Sequence, residues 1–190
     1  MNNIKQKKAF SLMEMIVSTA LFLTVITISV GIFLSVTKAN SKINAMQKVE
    51  NEIRYIIEII SKEIRLGTIY YNYYELTYGE NFENPVPVLA LEDNADNISY
   101  FVLDGDGSSS GIVQMSLDNG NTWNDLSTSN VIVDSLDFYL LPDSNPFDQE
   151  SVIIKQPMVT LFLEAHYNKD DFSTGRIKIQ TTIGSRQYKK

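Results

Sequence analysis

Hydrophobic positions along the chain follow three successive patterns. Between residues 15 and 37 no position is charged, and thirteen of the 23 residues are Leu, Ile, Val or Phe. As a helix rising ~1.5 Å per residue this stretch would span about 35 Å, enough to cross a hydrocarbon core of about 30 Å. Its hydroxyls at Ser18, Thr19, Thr24, Thr27, Ser29 and Ser35 do not veto the span, because each can bond the carbonyl one turn back. From Ile43 onward the period becomes helical. Ile43, Met46, Val49, Ile53, Ile56, Ile57, Ile60 and Ile64 recur at steps of three and four, while Glu50, Arg54, Glu58, Lys62, Glu63 and Arg65 take the other faces. This predicts an amphipathic helix over about residues 41–66, supported by Glu50/Arg54 and Glu58/Lys62 pairs four apart and closed by Gly67. No proline falls between Phe10 and Gly67, which favours one helix of roughly 57 residues, about 85 Å long. The alternative is a membrane helix, a break at Gly31 or at residues 38–42, and a separate core helix.

Beyond Gly67 the pattern alternates with period two. Leu136, Phe138 and Leu140 face away from Asp137 and Tyr139, and Val159, Leu161, Leu163 and Ala165 alternate with Thr160, Phe162, Glu164 and His166. Ile177, Ile179, Thr181 and Ile183 alternate with Arg176, Lys178, Gln180 and Thr182. These read as half-buried strands, the last two joined by a hairpin loop across residues 168–175. A second hairpin is expected between residues 98–103 and 112–117, and a shorter strand at residues 86–91. A run of strands after one long helix predicts an α+β fold, with the isoleucine-rich half of the helix covering one face of an antiparallel sheet in a β-rich head over residues 67–190.

Charge sets the orientation and narrows the partners. Lys5, Lys7 and Lys8 precede the apolar run without an offsetting acid, which keeps the short N-terminus in the cytoplasm and the head outside. The apolar stretch is too long for a removable secretory signal, and no small-residue cleavage site follows it. The formal net charge is −7, of which the three leader lysines contribute +3, so residues 9–190 carry −10. An acidic exterior argues against binding nucleic acid or anionic lipid through a broad basic surface. The chain has no cysteine, which excludes disulfides, thiolate metal sites and a thiol nucleophile.

A carboxylate stands at the mouth of the membrane run. Lys8-Ala9-Phe10-Ser11-Leu12-Met13-Glu14 resembles the processing signal of type IV pilins and pseudopilins: a basic leader, a small residue, then Phe-Ser/Thr-Leu-aliphatic-Glu opening a long apolar helix. The resemblance implies a pilin-like fold and cleavage by a prepilin peptidase between Ala9 and Phe10, with N-methylation of Phe10. It also implies a leader of residues 1–9, a helix over residues 10–66, and assembly with other pilins or pseudopilins on an inner-membrane platform. Alanine at position 9 departs from the usual glycine. In this setting the cationic Phe10 amine and Glu14, four apart on one helix face, could pair within or between subunits and set their register. The alternative is a carboxylate resting at headgroup level. Residues 49–67, together with VDSLDFYLL, QPMVTLFLEAHY and TTIGSRQ, further resemble the larger minor subunits, the J-type pseudopilins and W-type minor pilins.

Other constellations point to structure before chemistry. Ser116-Leu117-Asp118-Asn119-Gly120-Asn121-Thr122-Trp123 resembles the Asp-box turn of sialidase-type propellers, a structural motif even there. Asp104 and Asp106 in Asp-Gly-Asp-Gly suggest calcium, but an EF-hand loop needs glycine where Ser109 stands and glutamate where Met115 stands. A hairpin loop explains them, as solvation explains Asp143, Asp148 and Glu150. Tyr70, Tyr71, Tyr73, Tyr74 and Tyr78 are expected mainly to pack on the sheet, with one or two open to a partner. His166 is the sole histidine, with no sequence-evident nucleophile or acid beside it. The expectation is a non-enzymatic filament subunit without a cofactor, inserted once in the cytoplasmic membrane with a periplasmic or extracellular head. The rival is a signal-anchored protein whose outer domain binds a ligand or glycan.

Overall fold

The computed structural model describes residues 10–79, 82–104, 111–146, 156–168 and 176–185. The first element is α1, Leu12–Leu66, which stays helical through Gly31 and residues 38–42. It is followed by β1 (Thr68–Ile69), α2 (Tyr71–Tyr78), β2 (Val88–Glu92), β3 (Ile98–Asp104), β4 (Ile112–Ser116), β5 (Asn124–Asp125), β6 (Val131–Leu141), β7 (Met158–Tyr167) and β8 (Ile177–Gly184). The fold is α+β, a long apolar N-terminal helix with antiparallel sheets packed on its second half. Contacts group the chain into two units, Met1–Ile43 and Asn44–Lys190. The second half of α1 belongs with the strands in the second unit.

Inside the second unit the helical and alternating periods meet. Val49, Ile53, Ile56, Ile60 and Ile64 have no exposed surface and join one core with Leu89, Phe101, Val113, Phe138, Leu140, Val159, Leu161 and Leu163. Each isoleucine contributes roughly 1.5–3 kcal/mol of burial, which outweighs the modest helix propensity of a β-branched residue. Gly67 ends the helix with its N–H on the Glu63 carbonyl at 2.8 Å. A Cβ there would stand 3.0 Å from the Glu92 carbonyl oxygen, so β2 leaves little room for a side chain.

The expected sheet is present as two. One holds β1-β2-β3-β4-β5 and the other β6-β7-β8, all pairs antiparallel. Isolated backbone bridges join them at Val86/Phe138 and Gly111/Val133, and side chains of both meet in the one core. At the second bridge a Cβ on Gly111 would lie 1.8 Å from the Asp104 carbonyl oxygen, so only glycine fits. Strand β6 begins four residues before the predicted segment, and the reason is a bulge between Val133 and Ser135. Buried positions are odd at Val131 and Val133 and even at Leu136, Phe138 and Leu140; the extra residue, Asp134, re-phases the strand.

Helix α2 was not expected from the sequence. Strand β1 pairs with β2 over two residues and then leaves its edge. Tyr74 takes over: its hydroxyl accepts from the Ala90 N–H at 2.7 Å and donates to the Val88 carbonyl at 3.2 Å. Tyr71 donates to the Pro142 carbonyl at 3.1 Å. Both rings are buried, and burial pushes both phenols well above their ordinary range. The loop of residues 168–175 lies outside the described residues beyond Asn168.

Candidate assembly segment

Within the first unit, α1 is long and apolar enough to cross a membrane, and its most apolar stretch buries nothing. Leu21, Phe22, Ile28, Ile32 and Phe33 are all more than half exposed. This is compatible with a single-pass anchor, because so large an exposed apolar surface is tolerated in lipid and not in water. The hydroxyls behave as the sequence predicts. Ser18 donates to the Glu14 carbonyl (2.7 Å), Thr24 to Ala20 (2.9 Å), Thr27 to Leu23 (2.9 Å), Ser29 to Val25 (2.7 Å) and Ser35 to Gly31 (3.0 Å). Thr19 and Thr37 do the same toward Met15 and Phe33. No hydroxyl of this run needs water.

The helix opens at the motif. The Ser11 carbonyl accepts the Glu14 N–H at 3.0 Å and the Met15 N–H at 3.2 Å, and Glu14 is the acid of the first turn. Ser11 and Glu14 also have the S-x-x-E spacing of a capping box, where a carboxylate complements the helix N-terminal dipole. Phe10 is 76% exposed and stands four residues before Glu14; Ala9, on its other side, lies outside the described residues. Phe10, Met15, Ser18, Thr19 and Phe22 line a shallow apolar groove on this end of the helix.

The other candidate residues lie in the second unit. Asp104 is exposed at the end of β3, Asp106 lies outside the described residues, and among the described residues no group of three or more His, Asp or Glu is placed to hold a metal. Asp148 and Glu150 are also outside them. Residues 116–123 do form a turn. The Asp118 carboxylate accepts from Ser116 Oγ (2.8 Å), Thr122 N (2.8 Å) and Thr122 Oγ1 (2.6 Å), and Gly120 N donates to Ser116 Oγ (3.0 Å). The Thr122 hydroxyl and amide, then the Ser116 hydroxyl, hold the Asp118 carboxyl below its ordinary range. Asn119 and Gly120 adopt left-handed φ of 62° and 84°, which Asn and Gly tolerate best.

His166 has an acidic neighbour that the sequence reading did not place. Its Nδ1 lies 2.9 Å from Asp134 Oδ2, the bulge residue of β6; the parity switch along β6 was the available signal. Arg176 Nε stands 3.7 Å from Asp134, and Glu164 pairs with Lys178 at 2.8 Å and Arg176 at 3.4 Å. The Lys178 hydrogen bond chiefly lowers the Glu164 pKa. Three strands are tied by this cross-strand ladder. No protein-family model matches this chain, and no curated protein or solved structure is significantly similar to it.

Proposed function

We propose that this chain is a minor pilin or pseudopilin, a structural subunit of a type IV pilus or type II secretion-type filament, inserted by its N-terminal helix after removal of residues 1–9. The observation that carries this reading is the sequence motif of residues 8–14, whose described part, Phe10 to Glu14, leads into α1. That helix then presents an unburied apolar half and ends as the isoleucine-lined cover of a β head. A subunit with such a helix polymerises head to tail through its exposed apolar surface, a geometry that does not close. Glu14 recognises the new amine of Phe10 on its own or an adjacent copy; in a low-dielectric bundle the pair offsets much of the cost of burying a carboxylate. The head faces the periplasm or exterior and meets companion subunits, in the manner of the larger J-type or W-type subunits.

The test begins with the N-terminal peptide from cells that make a prepilin peptidase. A peptide starting at methylated Phe10 is expected; an intact Met1 terminus on a dispersed monomer supports the signal-anchored rival. Glu14→Gln separates charge from capping, since glutamine serves equally in a capping box. The variant should reach the membrane at wild-type levels while its recovery in sheared filaments falls about tenfold, the equivalent of roughly 1.4 kcal/mol. Undiminished incorporation would remove the charge pair from the mechanism.

A further inference from the structure

Trp123 is the only tryptophan in the chain and is 44% exposed. It is not a loose side chain. It follows directly on the Asp118-centred turn, which ends at Thr122, and its ring lies 6.4 Å from that of Tyr100 at a 35° tilt. Tyr100 in turn meets Tyr73 of α2 at 5.5 Å, edge to face. Register places Tyr100 on the face of β3 opposite Phe101; Tyr73 and Tyr100 are half-buried where they meet the edge of the core, and Trp123 is the exposed ring of the row. Phe101 and Leu89 point inward as partners, so Tyr100, Val102 and Asp104 point outward with the partner of Val102, Gln114. Gln114 pairs with Asp125, two residues after Trp123, and donates to its carboxylate at 2.9 Å.

The electrostatic setting selects what such a row can receive. Residues 66–154 contain no Lys, Arg or His and fifteen Asp or Glu. Every strand of this sheet lies in that stretch, and Asp104 and Asp125 share the outer face with the rings. This stretch offers phosphate-bearing and other anionic ligands no cation of its own. A guanidinium or ammonium gains twice: from the ring quadrupoles, Trp above all, and from nearby carboxylates. We propose that Tyr73, Tyr100 and Trp123 form a docking platform for an arginine- or lysine-bearing segment of a partner protein. The aromatic row is the site, and the acidic surround steers cations to it. This goes beyond filament assembly and holds whether the chain polymerises or remains a single anchored subunit.

The single tryptophan is its own reporter. The full chain, purified in a non-ionic detergent, is titrated with the peptide acetyl-(Gly-Arg)4-amide, with its neutral citrulline counterpart, and with cellohexaose and chitohexaose. The arginine peptide should shift Trp123 emission saturably and the citrulline peptide should bind at least tenfold more weakly. By calorimetry, Tyr100→Ala and Trp123→Ala should each weaken the arginine peptide roughly three- to tenfold, whereas Trp123→Tyr keeps most of the affinity. Circular dichroism verifies that the variants are folded. Unchanged emission, or full affinity in both alanine variants, would overturn the platform, the latter reducing it to diffuse acidity. Tighter binding of either oligosaccharide would overturn it in favour of a glycan surface.

Discussion

At the scale of single residues, two side chains do work that backbone would otherwise do. Tyr74 replaces a strand at the edge of β2 by holding the Ala90 N–H and the Val88 carbonyl. Tyr74→Phe leaves that buried N–H without a partner, so the head should lose about 1–3 kcal/mol in denaturant unfolding; Tyr71→Phe, which removes one bond to Pro142, should cost about 1 kcal/mol. Equal midpoints for wild type and Tyr74→Phe would show that the hydroxyl is dispensable. Asp118 organises the turn as a carboxylate, and its folded pKa lies below the ordinary value. A group depressed in this way stabilises fully above its unfolded pKa of about 3.9, and the contribution is lost as pH falls toward and through the folded value. Trp123 emission should therefore hold steady from neutral pH to about pH 5 and change below about pH 4. Asp118→Asn should remove that step; an identical acid transition in the variant would assign it elsewhere.

At the scale of elements, legibility follows the length and regularity of the pattern. The amphipathic half of α1 was plain because its apolar positions repeat regularly, and Val49, Ile53, Ile56, Ile60 and Ile64 all join the core shared with the strands. Ile56→Ala at the centre of that stripe should cost about 2–5 kcal/mol through lost burial and a residual cavity, measured by thermal or urea unfolding. Ile43→Ala, at a half-exposed position, should change stability by less than about 0.5 kcal/mol. Strands β3, β4, β7 and β8 were also visible to within one or two residues, β7 and β8 by alternation and β3 and β4 as apolar runs flanking the turn-rich stretch 104–111. Helix α2 was not, because tyrosines have no strong helical preference and no N-terminal cap marks its start; packing of Tyr71 and Tyr74 makes that segment helical. The first part of β6 was hidden by its own bulge, which breaks the period at Asp134. The expected Glu50–Arg54 pair closes at 2.6 Å, while among the described residues Glu58 and Lys62 form no ion pair and instead line a groove with Ser61, Arg65 and Leu66.

At the scale of the whole molecule, the division at Ile43/Asn44 makes a direct prediction. A fragment starting at Asn44 keeps Val49 through Ile64 and should remain in the supernatant after ultracentrifugation, unfolding in one cooperative transition. A fragment starting at Gly67 exposes the core beneath those isoleucines and should aggregate or lack a transition; cooperative unfolding of the shorter fragment would move the boundary back to the end of the helix. By itself the sequence determined the membrane-length helix, the helical cover that follows, the antiparallel strands and the candidate processing motif, because each is a local repeat or a run of adjacent residues. Only tertiary structure decided that the strands form two sheets, that Tyr74 completes an edge, that Asp134 reaches His166, and that Tyr73, Tyr100 and Trp123 fall in one row. Those arrangements join residues 23 or more positions apart, or depend on a bulge or a helix fixed by packing, and no periodicity along the chain encodes the distance between them.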